Sequence, residues 1–66
     1  MIITINGRKI ETSSPLDLAA LLDAQGYKDK LVAVARNGVF VPRASYLETK
    51  LEEGDEIEIV APMQGG

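Results

Sequence analysis

A single stretch of this sequence has the spacing of a helix, and it lies among segments that alternate like β-strands. In SSPLDLAALLDAQG (13–26), Leu18, Leu21 and Leu22 recur at positions i, i+3 and i+4, so they share one face of a helix. A helix and a sheet each have an apolar face, and with one of each available they can bury those faces only against each other. The sequence therefore predicts an α+β roll, with four or five strands of a mixed sheet packed on one main helix.

The predicted helix has start and stop signals. Ser14 is a natural N-cap, Pro15 falls at the first helical position, and Asp17 completes an S-x-x-D capping box. Gly26 is placed to end the helix in the left-handed conformation. We therefore expect the helix to begin directly after Ser14.

Two Asn–Gly pairs predict tight turns. Asn6–Gly7 divides the alternating segment 1–12 into the two arms of a hairpin, and Asn37–Gly38 separates two further apolar runs. Asn–Gly is favoured in type I′ turns because both central residues need a positive φ. The element order is then β-β-α-β-β-β.

The second pair of strands contains a candidate contact residue. The continuous apolar run 31–35 predicts a strand that is covered on both faces or central in the sheet, and Pro42 ends the strand after it. If Val39 and Val41 face the core, Phe40 faces the other way. It then either covers a local gap or forms an exposed apolar patch for a partner.

The C-terminal third predicts one irregular link and one strand, and we expect that strand to bring the tail out at one edge of the sheet. Ser45 is a candidate cap for a single helical turn, Gly54 marks a turn, and Ile57 and Ile59 are expected to point inward. A 66-residue chain has little room for the cleft that a catalytic carboxylate pair needs. We therefore expect its clustered carboxylates to form a solvated acidic surface: Glu52, Glu53, Asp55, Glu56 and Glu58.

Composition excludes several kinds of function. The chain has no Cys and no His, which rules out disulfides, zinc fingers and Cys/His nucleophiles, and we expect no bound metal. A net charge of −3 argues against nucleic-acid binding. No apolar run reaches the length of a membrane span and no leader pattern is present, so we expect a cytoplasmic protein that does not bind membranes. The predicted organisation is one domain, 1–60, followed by a flexible tail, 61–66.

The sequence ends on Gly65–Gly66, and this pair is the remaining candidate for chemistry. Glycine has no Cβ, so such a peptide can enter a channel too narrow for other residues. A terminal carboxylate is a poor electrophile until it gains a leaving group such as AMP. The activated acyl group can then be transferred to a sulfur nucleophile, a Cys thiol or a Lys amine. Residues 61–66 span about 20 Å when extended, which is enough to reach a buried active site.

Four motifs resemble the ThiS family of sulfur carrier proteins, which have a ubiquitin-like β-grasp fold. They are INGR in the first hairpin, LDLAALLDAQG in the helix, VAVARNGVFVPR in the second pair of strands, and LEEGDEIEIVAPMQGG at the end. The resemblance covers essentially the whole chain. The departure lies in Met63 and Gln64, since the residues just before the glycines vary within the family.

The resemblance implies a protein co-substrate rather than an enzyme. A ThiF-like adenylating enzyme uses ATP and Mg²⁺ to convert the terminal carboxylate to an acyl-adenylate. Sulfur from a donor protein's cysteine persulfide then replaces AMP, and a ThiG-like thiazole synthase takes the sulfur from the resulting thiocarboxylate. Carried over, Gly66 holds the acyl group, Gly65 provides clearance, and Gln64 and Met63 dock with the partner. The carrier itself binds no cofactor.

Three other functions fit parts of the pattern. The small subunit of molybdopterin synthase shares the fold and the thiocarboxylate chemistry, although its last strand tends to be more apolar than EIEIV. A ubiquitin-like modifier would join its terminal glycine to lysines of other proteins. An inert interaction module would keep its binding function without Gly65 and Gly66.

Overall fold

A computed structural model describes residues 1–61 of the chain. Its elements are the strands β1 (Ile2–Ile5), β2 (Arg8–Glu11), β3 (Ala33–Arg36), β4 (Val39–Val41) and β5 (Glu56–Val60), the helix α1 (Leu18–Ala24) and a 3₁₀ helix (Arg43–Glu48). The five strands form one sheet in the order β2-β1-β5-β3-β4. The predicted order of strands and helix is confirmed.

Strand β5 lies in the centre of the sheet. It pairs parallel with β1 and antiparallel with β3, so the sheet is mixed, as predicted. We expected the last strand to bring the tail out at one edge of the sheet, and this is wrong. The chain leaves from the end of the central strand, because β1 and β3 flank β5 on both sides.

The core lies between one face of the sheet and α1. The three leucines predicted to share a helical face are all buried. Ile57 and Ile59 are 1% and 5% exposed, so the inward direction predicted for them is confirmed. The full set of buried apolar residues is Ile3, Leu18, Leu21, Leu22, Val34, Val41, Leu51, Ile57 and Ile59.

Helix α1 begins three residues later than predicted. Its N-cap is Asp17, whose carboxylate accepts a hydrogen bond from the backbone N–H of Ala20 at 2.8 Å. The Ser14 cap is wrong because the residues after it pair with another segment. The Leu16 carbonyl accepts from Leu51 N–H at 2.9 Å, and Asp17 forms a bridge with Lys50.

The predicted end of α1 is confirmed. Gly26 has a φ of +86° and follows the C-cap Gln25. The N–H of Tyr27 donates to the Leu22 carbonyl at 2.8 Å, and the N–H of Gly26 donates to the Asp23 carbonyl at 3.1 Å. These two bonds make a Schellman motif, which satisfies carbonyls that the helix leaves free.

Both Asn–Gly turns are confirmed. Asn6 and Gly7 have φ values of +51° and +82°, and Asn37 and Gly38 have +52° and +82°. Each pair connects two antiparallel strands as a two-residue loop. Positive φ at both positions is what a type I′ turn requires.

Two further predictions about the second half of the chain are wrong. The run 31–35 is not all strand, since β3 begins at Ala33 and Leu31 is 65% exposed. Cover on both faces of β3 is also wrong, whereas the alternative, a place inside the sheet, is confirmed because β5 and β4 flank β3. The link after β4 is a 3₁₀ helix that follows Pro42 directly, so Ser45 lies inside it rather than capping it. The Ser45 N–H donates to the Pro42 carbonyl at 2.9 Å.

Candidate functional site

The residues predicted to carry the chemistry and the docking tail are Met63, Gln64, Gly65 and Gly66, and they lie outside the described residues. What the structure describes is the strand that leads to them. β5 ends at Val60, and Ala61 is exposed. The candidate site therefore consists of the end of β5, its neighbours in the sheet and the open sheet face.

The end of β5 is held by a side chain from the first hairpin. The Asn6 Nδ2 donates to the Ile59 carbonyl at 3.1 Å, and the Ile59 N–H donates to the Asn6 Oδ1 at 2.8 Å. The Asn6 backbone N–H also donates to the Ile57 carbonyl at 2.9 Å. β1 itself ends at Ile5, so this side chain holds β5 beyond the last backbone pairing with β1.

Phe40 lies on the open face of the sheet, as predicted, and its side chain is 66% exposed. It sits opposite Ala35 in the β3–β4 register and, with Val60, borders a shallow depression of about 250 Å³. An exposed ring of this kind does not fill a gap in the core. Val39, which we expected to face the core beside Val41, is 67% exposed because β4 is an edge strand.

A buried carboxylate lies at the other end of β5. Asp55 is 5% exposed, so the prediction that it joins a solvated acidic surface is wrong. Its carboxylate accepts hydrogen bonds from Arg36 Nε at 2.9 Å, Asn37 Nδ2 at 3.0 Å and the backbone N–H of Glu52 at 2.8 Å. Glu56, Glu58 and the two other clustered glutamates are exposed, as predicted.

These contacts set the charge state of Asp55. Burial by itself raises the pKa of its carboxyl. The hydrogen bonds from Asn37, the Glu52 backbone and Arg36, together with the Arg36 charge, outweigh burial and hold the pKa below its ordinary value of 3.8. Asp55 is therefore ionised at neutral pH and works as a structural acceptor rather than as a proton donor.

Sequence reasoning missed the tertiary roles of Asn6 and Asp55. Each residue belongs to a turn motif, the Asn–Gly turn or the Gly–Asp turn. The turn by itself accounts for the residue type, so no contact with another strand was predicted for either side chain. Asn37 also has a second role, because its Oδ1 accepts from the Glu56 N–H at 2.9 Å. The available signal was that both hairpin turns use Asn, whose amide can bond to a neighbouring strand, where Gly or Asp also suits the turn.

Across residues 1–61, no cluster of Asp and Glu is arranged to hold a metal ion. The same part of the chain contains no helix with the length and apolar character needed to cross a membrane. One groove of about 160 Å³ between α1 and the 3₁₀ helix is lined by Tyr27, Tyr46 and three cationic side chains, Lys28, Lys30 and Arg43.

Solved structures share this fold. The crystal structure of the thiamine biosynthesis protein ThiS from Geobacter metallireducens superposes with a TM-score of 0.85 and 29% sequence identity over the whole of both chains. The solution structure of the thiamine biosynthesis protein from the same organism gives a TM-score of 0.82, and the match covers 88% of that chain. The predicted ubiquitin-like β-grasp fold is therefore confirmed.

Sequence relatives are of two kinds. The thiazole synthase of Paramagnetospirillum magneticum is 39% identical over all 66 residues, and that of Magnetococcus marinus is 36% identical. The chain spans only about a fifth of the length of each of these proteins, at 20% of both. The protein ycf40 of Pyropia yezoensis is 31% identical over 97% of this chain and 90% of its own length.

The family assignment rests on the whole chain. The ThiS family profile matches residues 2–66, which takes in the fold, the end of β5 and the two final glycines. The two solved structures agree with that match. This chain belongs to the ThiS family.

Proposed function

We propose that this protein is a sulfur carrier for the formation of the thiamine thiazole ring, and that it is acted on by enzymes rather than being one. The observation that carries the proposal is a ThiS-family chain whose central strand runs directly into a segment holding Gly65–Gly66. The absence of Cys and His from the sequence supports it, because neither side chain is present to hold sulfur or to catalyse its transfer.

In this proposal Gly66 supplies the carboxylate. A ThiF-like enzyme transfers AMP from MgATP to that carboxylate with release of pyrophosphate. The outer sulfur of a donor persulfide then displaces AMP and forms an acyl disulfide with the donor. A second thiol of the donor cleaves the S–S bond, which releases the thiocarboxylate and leaves the donor as a disulfide. Because the group to be activated is a poor electrophile at neutral pH, the AMP leaving group is what makes the exchange possible.

The globular body serves as the part that partners hold. Gly65 has no Cβ, so the end of the chain fits a channel that excludes larger residues, while Met63 and Gln64 contact the channel entrance. Segment 61–66 reaches about 20 Å from the end of β5 when it is extended. Phe40 and Val60, both exposed on the open sheet face, are the proposed apolar contact for a partner surface.

The receiving enzyme in this proposal is a thiazole synthase. Two proteins named thiazole synthase contain a segment of this length that is 36–39% identical to the chain. Covalent attachment gives a carrier and its acceptor a high effective concentration, so a carrier segment inside such a protein fits a functional pairing. This observation favours the thiazole pathway over the molybdopterin pathway.

The test is the intact mass of the protein after incubation with a ThiF-like enzyme, MgATP and a persulfide sulfur donor. We expect the mass to increase by one oxygen-to-sulfur exchange, and we expect subsequent incubation with a thiazole synthase and its other substrates to reverse the change. A Gly65→Val variant serves as the matched control. It should fold normally and show no mass change, because a Cβ branch blocks entry to the channel.

Three outcomes count against the proposal or a part of it. An unchanged mass of the wild-type protein, with partner enzymes that act on another ThiS protein, contradicts the sulfur-carrier function. Stable conjugates to lysines of other proteins would instead support the modifier function. Normal ATP–pyrophosphate exchange with Gly65→Val would contradict the narrow-channel argument.

A further inference from the structure

The side chain of Asn6 takes the place of a strand residue beside β5. An Asn side chain carries a C=O acceptor and an N–H donor, the same pair of groups as a peptide unit. Here the Oδ1 accepts from the Ile59 N–H at 2.8 Å and the Nδ2 donates to the Ile59 carbonyl at 3.1 Å. The ladder between β1 and β5 therefore continues past Ile5, where the β1 backbone turns away.

This contact lies at the point where the described chain leaves the sheet. Ile59 is 5% exposed, and only Val60 separates it from the exposed Ala61. On its other side β5 is paired with β3, with Ala33 opposite Val60. Without the Asn6 amide, the backbone N–H and C=O of Ile59 would lose their partners on the β1 side. The end of β5 would then be paired with β3 alone.

The opposite end of β5 provides a natural comparison. Asn37 belongs to the second Asn–Gly turn, and its side chain also makes two hydrogen bonds, one from Glu56 N–H at 2.9 Å and one to Asp55 at 3.0 Å. The two asparagines thus have the same turn geometry and the same number of side-chain bonds. They differ in that Asn6 is next to the outgoing end of β5 and Asn37 is next to its start.

We propose that Asn6 is a positioning residue that fixes the end of β5, and thereby the place and direction from which residues 61–66 extend toward a partner's active site. This inference rests on the proposed sulfur-carrier function. A carrier whose last strand opens pays an ordering cost each time its end enters the active site. The effective concentration of the chain end in the active site also falls, because Ile59 and Val60 are then no longer held in the sheet.

The first experiment measures the contact itself, without any partner enzyme. Asn6→Gly removes the amide but suits the turn, since Gly–Gly also forms type I′ turns. Loss of two hydrogen bonds should make amide hydrogen exchange at Ile59 about tenfold faster or more. Asn37→Gly, the matched control, should leave exchange at Ile59 unchanged. Equal exchange rates at Ile59 in wild type and Asn6→Gly would overturn the proposal.

The second experiment measures delivery of the carboxylate. With a ThiF-like enzyme, Asn6→Gly should lower kcat for ATP–pyrophosphate exchange by about threefold to tenfold. Asn6 lines the same depression as Phe40 and Val60, but both apolar side chains remain, so KM for the carrier should stay within about twofold. Asn37→Gly should leave both constants within about twofold of wild type. Asn6→Asp, which also suits the turn and keeps the acceptor for Ile59 N–H, should fall between wild type and Asn6→Gly.

The two arms separate this inference from the function it rests on. If wild type is activated and Asn6→Gly is activated equally well despite faster exchange at Ile59, the positioning role is overturned and the carrier function stands. If wild type itself is not activated, the carrier function fails, and the positioning role for it fails as well. The exchange measurement then still shows whether Asn6 holds β5.

Discussion

At the scale of single residues, Asp55 connects two parts of the chain that the sequence keeps apart. Its carboxylate accepts from Arg36 and Asn37 in the β3–β4 hairpin and from the backbone of Glu52 in the turn before β5. The Arg36 side chain is 28% exposed and that of Asp55 only 7%, so the pair is largely sheltered from water. This cluster fixes the start of the central strand as Asn6 fixes its end.

We expect Asp55→Asn to lower the free energy of unfolding by about 2 kcal/mol at neutral pH, because the charged acceptor of three hydrogen bonds is lost. Chemical denaturation measures the change. Glu58→Gln is the matched control, since Glu58 lies on the exposed face of the same strand, and its effect should be below about 0.5 kcal/mol. A loss as large for Glu58→Gln would contradict a special role for Asp55.

The same carboxylate gives a prediction about pH. Its pKa is lower in the folded protein than the ordinary value of 3.8, so the unfolded chain binds the proton first as pH falls. The stabilisation by Asp55 is present above pH 3.8 and is lost as pH falls through the folded-state pKa. The difference in unfolding free energy between wild type and Asp55→Asn should therefore shrink as the pH is lowered below 3.8. A difference that stays constant would contradict this.

At the scale of elements, the start of α1 was decided by a contact outside the helix. Ser14, Pro15 and Asp17 form a plausible capping box, but the Leu16 carbonyl and the Leu18 N–H are hydrogen-bonded to Leu51 and Thr49. Those bonds hold residues 16–18 next to the segment before β5 and keep Leu16 out of the helix. The cap passes to Asp17, which also has a side chain suited to it.

We expect Asp17→Ala to lower the free energy of unfolding by about 1 kcal/mol, because the N–H of Ala20 loses its acceptor. Ser14→Ala is the control, and its effect should be within about 0.5 kcal/mol because Ser14 is exposed and lies outside the helix. Thermal or urea unfolding compares the two variants. The reverse order of effects would restore Ser14 as the cap.

At the scale of the whole molecule, the sheet buries one face against α1 and leaves the other open. The open face carries Phe40 and Val60, at 66% and 63% exposure, beside the strand that leads to Gly66. An enzyme that accepts the end of the chain could therefore contact this open face at the same time. This proximity supports the proposed apolar contact.

We expect Phe40→Ala to change the free energy of unfolding by less than about 0.5 kcal/mol and to weaken binding to a ThiF-like enzyme or thiazole synthase about tenfold. Calorimetric titration and denaturation measure the two quantities. Leu47→Ala is the control, since Leu47 is 72% exposed but lies in the 3₁₀ helix. Its binding should equal that of wild type. Unchanged affinity with a large loss of stability for Phe40→Ala would place the ring in a structural role.

The sequence by itself determined the features that depend on neighbours along the chain. The leucine spacing of α1, its left-handed end at Gly26, the two Asn–Gly turns and the inward Ile57 and Ile59 all follow from local backbone geometry and periodicity. Since a single helix and a single sheet have only each other to cover their apolar faces, the α+β class followed as well. Membership of the ThiS family was likewise visible in motifs spread over the whole chain.

Only the tertiary structure decided the features that join distant segments. The central place of β5, the late start of β3, the cap at Asp17, the burial of Asp55 and the bonds from Asn6 each depend on which strand or turn lies alongside. A backbone group or carboxylate takes its partner from whatever the fold places within about 3 Å, and chain order does not specify that neighbour. The sequence thus pointed to the end of the chain, whereas the fold decided how the strand leading to it is held.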